Sequence, residues 1–584
     1  MKIISIAIST VTLLAQVPAQ DSRNTNVVHT DTHFTMPVYK SLPDWQARKA
    51  RLERQILSAA GLLPMTEKTP LGPQIFGRIE NKDYSIEKVY LETLPGYYLG
   101  GNLYRPLTRG GKFPGVLAPH GHWVYGRLEH QPGFSGQALG ISLARQGYVV
   151  FAYDIVGYND TVQTPHGFGG AAEQLWAFGP LGLQLWNSIR SVDFLVSLED
   201  VDPKRIAVTG ASGGGTQAFL LAAVDQRVTH SAPVNMVSAI MQGGSACENA
   251  PNLRFDTFNV EITALMAPRP MILVSATGDW TRNTIKEEFP AVQAIYELYG
   301  KSGNVETIQF EAEHNYHNGS REAVYRFFGK HILGETDEKK FREQSIRVEK
   351  LQDMLALHGR ALPANALSYE ALFERWRRAA RAQAAAIGDP KALREGLVYA
   401  LGTEWPAEVL SQIEGERVIL SRAGKQDRVP GLWIPGSGAP ALVVHPEGAE
   451  AARKTPAVRE LIESGRSVLM IDAFQTGAAV APRDRSHTHF LTFNRTDDAS
   501  RVQDILTALA FLRSRASGKI QLVGLDKAGV WVLFAAAVAP IDVRLSAGLQ
   551  FGGADKEFID SFFVPGIQRA GGLKAALALT ANLR

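Results

Sequence analysis

The pentapeptide Gly210-Ala211-Ser212-Gly213-Gly214 constrains this chain more than any other stretch. It fits G-x-S-x-G, follows directly on the β-forming run Arg205 to Thr209 and precedes an apolar helical run through Val224. A serine at such a strand-to-helix junction sits on a strained turn, where bulk on either side would strike the neighbouring strand and helix. The turn exposes the Ser212 hydroxyl at the carboxyl edge of a sheet, over the N-terminus of the following helix. A phosphate-binding loop needs Gly-Lys-Ser/Thr, and this segment has no lysine. Ser212 is therefore read as a nucleophile.

The flanking sequence supplies the sheet. Strands are expected at 115–118, 148–153, 205–209, 270–276 and 307–312, with helices at 135–146 and 181–198 between them. Strand–helix alternation of this kind predicts an α/β fold, a mostly parallel sheet covered on both faces. Before it, 42–62 reads as a helix and 84–106 as a hairpin turning at Pro95-Gly96. After it the pattern repeats. Ser464 to Asp472 parallels Gln146 to Asp154, and Ile520 to Asp526 parallels Ile206 to Ser212. The expected organisation is a leader at 1–19, an N-terminal helical segment at 20–83, a catalytic domain at 84–334, a charged helical connector at 335–429 and a truncated, non-catalytic copy at 430–584.

A nucleophilic serine needs a base and an orienting acid, in chain order serine, acid, histidine. Asp279 follows the 270–276 strand and His314 follows the 307–312 strand, so both reach the sheet edge that carries Ser212. His317 competes with His314 but lies farther from the strand end. The oxyanion hole is assigned to the backbone N–H groups of Gly213 and His122, the latter in the Pro119-His120-Gly121-His122 loop. Substrate-facing candidates on the same edge are Trp123, the 154–160 segment with Tyr158 and Asn159, Cys247-Glu248-Asn249, and Trp280. His120-x-His122 and His487-x-His489 each lack a third metal ligand of matching spacing, so no metal site is assigned. In the second half Asp526 stands where Ser212 stands, Lys527 replaces Gly213, Glu447 replaces His120, and no room remains for a histidine equivalent to His314.

Composition removes other classes. Among 584 residues, 61 Lys and Arg nearly balance 58 Asp and Glu without a basic block, which argues against nucleic acid as a partner. The lone cysteine, Cys247, excludes an intrachain disulfide framework. Met1-Lys2, the apolar run Ile3 to Ala15 and the small residues Val17-Pro18-Ala19 have the pattern of a secretory signal peptide, too short to span a membrane. The mature chain is expected in the periplasm or outside a bacterial cell, with no membrane contact after cleavage.

The stretch 84–334 resembles the secreted α/β-hydrolase esterases of the acetyl xylan esterase and dienelactone hydrolase-like group. The resemblance rests on Pro119-His120-Gly121, Tyr153-Asp154, Gly210 to Gly215, Ala267-Pro268-Arg269-Pro270, Gly278-Asp279 and Glu313-His314. It implies a Ser212–His314–Asp279 triad, no metal or organic cofactor, and a small-molecule or polysaccharide ester as substrate, such as acetyl xylan. Three alternatives stand beside it. A prolyl oligopeptidase-like peptidase shares the elbow but usually has a preceding propeller, which is missing from the sequence pattern. A glucuronoyl esterase usually carries Arg after the serine, where Gly213 stands here. A non-enzymatic carbohydrate-binding protein would have lost the chemistry of both halves.

Overall fold

A computed structural model describes residues 16–108, 110–515 and 518–583; residues 1–15, most of the expected signal peptide, lie outside the described residues. No described helix is long and apolar enough to cross a membrane. The first long helix, α1 (Leu42–Ala59), begins where the sequence indicates, with Ser41 accepting the Asp44 N–H and a proline in the first turn. Its buried face carries Trp45, Leu52 and Ile56.

Nine strands build the first sheet: β1 (Gln74–Glu80), β2 (Tyr84–Leu94), β3 (Tyr97–Pro106), β4 (Phe113–Leu117), β5 (Val149–Tyr153), β6 (Val201–Ala211), β7 (Val228–Val234), β8 (Met271–Ala276) and β9 (Val305–Phe310). Their spatial order is β1-β2-β3-β5-β4-β6-β7-β8-β9. β1, β2 and β3 form an antiparallel edge, and every pairing from β5 onward is parallel. Helices α2 (Gly136–Arg145), α3 (Pro180–Ser197), α4 (Gly213–Val224), α5 (Glu288–Leu298) and α6 (Asn318–Phe328) cover its faces. All five residues of β5 and all six of β8 are buried, as expected of strands covered on both sides. α4 is apolar around most of its circumference, and eleven of its twelve residues are buried beneath the elbow.

Three boundaries differ from expectation. β1 lies in the segment read as N-terminal and helical, yet it extends the first sheet. The 335–429 segment contains helices α7 (Tyr369–Ala385) and α8 (Pro390–Leu401), but also β10 (Val409–Glu414) and β11 (Arg417–Arg422). β1 and β10 are edge strands with no fully buried residue, so they need little apolar side chain and leave a weak period-two signal. β9 ends at Phe310, two residues before the expected end, which lengthens the turn carrying His314.

β12 (Val429–Ile434), β13 (Gly438–Val444), β14 (Arg466–Ile471), β15 (Ile520–Gly524) and β16 (Val543–Ala547) complete the second sheet, with α9 (Asp497–Arg515) and α10 (Ala528–Val538) among its helices. Its order, β10-β11-β12-β14-β13-β15-β16, repeats the first seven positions of the first sheet. The antiparallel and parallel pairings fall at the same places. Counterparts of β8 and β9 are missing from that sheet among the described residues. One continuous apolar core joins the halves, running from Trp45, Trp186 and Leu220 to Leu469, Phe534 and Ile567.

Candidate active site

β4 and β6 are neighbours in the sheet, so the loop leaving β4 lies against the turn that leaves β6. In that turn Ser212 adopts φ 59° and ψ −127°. A non-glycine residue held in such a conformation costs on the order of 1–3 kcal/mol and persists only where the surroundings over-determine it. They do so here. A Cβ built on Gly210 would lie 2.5 Å from the Pro119 carbonyl oxygen, and one on Gly214 would lie 2.3 Å from the same oxygen. The two motif glycines thus let the β4 loop press onto the elbow. Gly213, first residue of α4, has an N–H that no helical carbonyl reaches. Among the described residues neither it nor the His122 N–H is spent on a protein acceptor.

β8 and β9 pair in parallel, which brings the turns after them together. The Thr277 N–H donates to the Phe310 carbonyl and the Gly278 N–H to the Ala312 carbonyl, both at 2.9 Å. Across this junction His314 Nδ1 stands 2.9 Å from Asp279 Oδ2. The other carboxylate oxygen accepts the Thr281 N–H at 2.7 Å and the Thr281 hydroxyl at 2.5 Å. The Asp279 side chain is 2% exposed and that of His314 29% exposed, so a held acid backs a reachable imidazole. The carboxylate keeps the proton on Nδ1 and leaves Nε2 basic. Trp280 packs on the His314 ring with centroids 4.3 Å apart. His317 is occupied elsewhere: its Nδ1 accepts the Ser320 N–H at 3.0 Å and caps α6.

The candidate substrate-facing residues divide. Trp123 is partly buried and stacks on Phe134 at 4.2 Å. Tyr158 meets the rings of His120 and His166 edge-on, each at 5.2 Å. Its loop is held from below by Arg127, fully buried, which pairs with Asp154 and, at 2.5 Å, with Asp160. Asn159 donates to Asp154 Oδ1 at 2.8 Å, with its backbone at φ 44°. Glu248 departs from expectation. It is buried, and its Oε2 accepts the Gly244 and Ser245 N–H groups, both at 3.0 Å, so it braces its own loop rather than facing substrate. Asn249 does likewise, donating to the Gly243 and Ser245 carbonyls. Burial, with Glu248 adding to it, pushes the Cys247 thiol up.

His120 and His122 do not act as a pair. His120 is buried, with Nδ1 2.7 Å from the Gly121 carbonyl oxygen and Nε2 accepting the Ile155 N–H at 3.1 Å. Burial drives it down to about 3. His122 is exposed and meets two groups from distant loops instead, His166 and Cys247. Sequence spacing around His120 carries no trace of either partner.

In the second half Asp526 keeps a positive φ of 46°, like Ser212, and stands 3.5 Å from His445 Nε2. His487 stacks on His29 while His489 Nε2 lies 3.3 Å from the Gly244 carbonyl oxygen, so these two imidazoles do not converge. His489 does bring the second half onto the 243–249 loop. A cavity of about 350 Å³ opens there, lined by Phe168, Phe178, Asn249, His489 and Thr492 among others. A second cavity, about 610 Å³, lies between α1 and α8 and touches none of the residues considered above.

No protein-family model matches the chain. The Bacillus subtilis protein YtaP, described as a hydrolase, is 26% identical over 265 residues, which cover 40% of this chain and 81% of YtaP. A methylesterase of known structure aligns at 30% identity with a TM-score of 0.50, over 61% of this chain and 77% of its own. A Bacteroides fragilis structure described as an acetyl xylan esterase aligns at 16% identity with a TM-score of 0.40, over 48% of this chain and 79% of its own. By its sheet topology and its likeness to the methylesterase and to YtaP, the chain belongs to the hydrolases and esterases of the α/β-hydrolase fold.

Proposed function

We propose that this protein is an exported serine esterase that removes acetyl groups from plant polysaccharides such as acetyl xylan. The observation that carries this reading is the Asp279–His314 pair at the sheet edge where Ser212 occupies its strained elbow. Ser212 Oγ attacks the ester carbonyl while His314 Nε2 takes the hydroxyl proton and Asp279 holds the imidazole in place. The N–H groups of Gly213 and His122 receive the oxyanion. His314 then returns the proton to the departing alcohol and activates the water that frees the acid. The second half acts as a non-catalytic copy: its elbow presents Asp526, and strands equivalent to those that carry Asp279 and His314 are missing among the described residues.

The methylesterase likeness favours a second reading, in which the ester joins methanol to a carboxylic acid. The catalytic steps are the same and only the leaving alcohol differs. A fluorophosphonate probe should label the purified protein, and p-nitrophenyl acetate should be hydrolysed, with both lost in Ser212→Ala. Turnover should fall by about 10³-fold or more while the melting temperature stays unchanged or rises. Near-normal turnover in that variant overturns the assignment. Acetate released from acetylated xylan, or methanol from a methyl-esterified polyuronate, then decides between the two readings.

A further inference from the structure

Three donor atoms from three separate loops meet beside the elbow. His122 Nε2 is 3.2 Å from His166 Nε2 and 3.1 Å from Cys247 Sγ, and all three atoms lie within 4.8 Å of one another. A tetrahedral zinc ion with Zn–N near 2.0–2.1 Å and Zn–S near 2.3 Å sets its ligand atoms about 3.3–3.6 Å apart, a few tenths of an ångström from the two contacts that His122 makes. The imidazole of His166 is already turned for this role. Its Nδ1 lies 2.7 Å from the Val156 carbonyl oxygen, which can only accept, so Nδ1 bears the proton and Nε2 presents a lone pair to the cluster. Carbonyl support of the far ring nitrogen is the usual outer-shell partner of a metal-bound histidine. The Ser245 hydroxyl completes the surroundings, 3.2 Å from His166 Nε2 and 3.6 Å from Cys247 Sγ.

We propose that His122, His166 and Cys247 form a three-ligand site for a zinc-class divalent ion, with a fourth position open on the exposed side of His122. Two imidazoles and one thiolate suit a borderline-soft cation and not magnesium or calcium. The buried Cys247 closes the inner side, whereas His122 is exposed and leaves the outer side to an oxygen donor. That face adjoins the elbow: a Cβ built on Gly213 would lie 2.7 Å from the His122 ring. An ion here would therefore hold a substrate oxygen close to Ser212. On binding, the thiol proton leaves to solvent as the sulfur–metal bond forms, and no redox change is involved. The site stands on its own geometry and does not depend on Ser212 being the nucleophile.

Cobalt(II) added to the chelator-treated, full-length protein tests this directly. The expected result is one bound equivalent with a thiolate-to-cobalt charge-transfer band that zinc displaces. The band should vanish in Cys247→Ser, and affinity should fall at least tenfold in His166→Asn. Zinc should also raise the melting temperature of the wild type but not of Cys247→Ser, a readout that needs no catalysis. Absence of the band in the folded wild type, or a band and affinity unchanged in His166→Asn, overturns the site.

Discussion

His120 and His122 share one loop and serve different ends. His120 is sealed beneath the 154–160 loop, where a proton on its accepting nitrogen would cost the Ile155 hydrogen bond and bury a charge. Its folded value near 3 lies below the ordinary 6.5, so the unfolded chain binds a proton that the folded one refuses between those limits. Stability from this residue is therefore lost as pH falls from about 6.5 toward 3. Asp154, Asp504 and Glu288, raised mainly by burial, oppose that trend, so the contribution is best read as a difference. His120→Asn removes the titration, and its deficit in melting temperature against the wild type should shrink between pH 7 and pH 4.5. A constant deficit across that range would contradict the buried, neutral state of His120.

At the scale of elements, the site depends on two junctions: β4 against β6, and β8 against β9. The first is enforced by glycine. Gly214→Ala drives a methyl group into the Pro119 carbonyl oxygen at 2.3 Å, backbone against backbone with no side chain able to yield. The variant should lose about 3 kcal/mol in denaturant unfolding, an amount typical of severe overpacking, and its esterase activity with it. Much of this was readable in advance. The buried strands announce themselves as apolar runs, and the G-x-S-x-G spacing locates the elbow because its glycines answer a steric demand of the chain itself. What escaped depends on contacts between distant segments. Glu248 reads as a loop carboxylate until the fold curls the 244–248 backbone around it. His166 is an unremarkable histidine until three loops converge, and β1 and β10 are too exposed to show a pattern.

The whole molecule is tied together by its first described residues. Ser22 donates its N–H to the Gln426 carbonyl, Asn24 accepts from Gln475, and Arg23 pairs with Asp504 at 2.6 Å with the aspartate fully buried. A few residues later Phe34 donates its N–H to Ala239 and Thr30 receives that of Gln242, in the first half. This segment spans both halves, whose cores are already continuous. Arg23→Ala would leave Asp504 buried without its partner, a loss of about 3–5 kcal/mol while the carboxylate stays ionised. Burial has already raised Asp504 to about 7 despite Arg23, and a folded value above the ordinary 3.8 means stability falls as pH rises. The drop in melting temperature on Arg23→Ala should accordingly be larger at pH 8 than at pH 6. Equal drops at both would show that the carboxylate is not the cause.

The same strap sets an order in time. Its bonds to the second half join residues 403, 451 and 481 positions apart, so the earliest of these residues to be synthesised wait for some of the last. Until the ribosome has delivered residues 425 to 504, the stretch around Ser22 lacks its partners from the second half. In the finished fold that window is shut, because Arg428 holds the Pro18 carbonyl at 3.0 Å. Cutting the folded chain beside Ala19 would have to pull the strap free first.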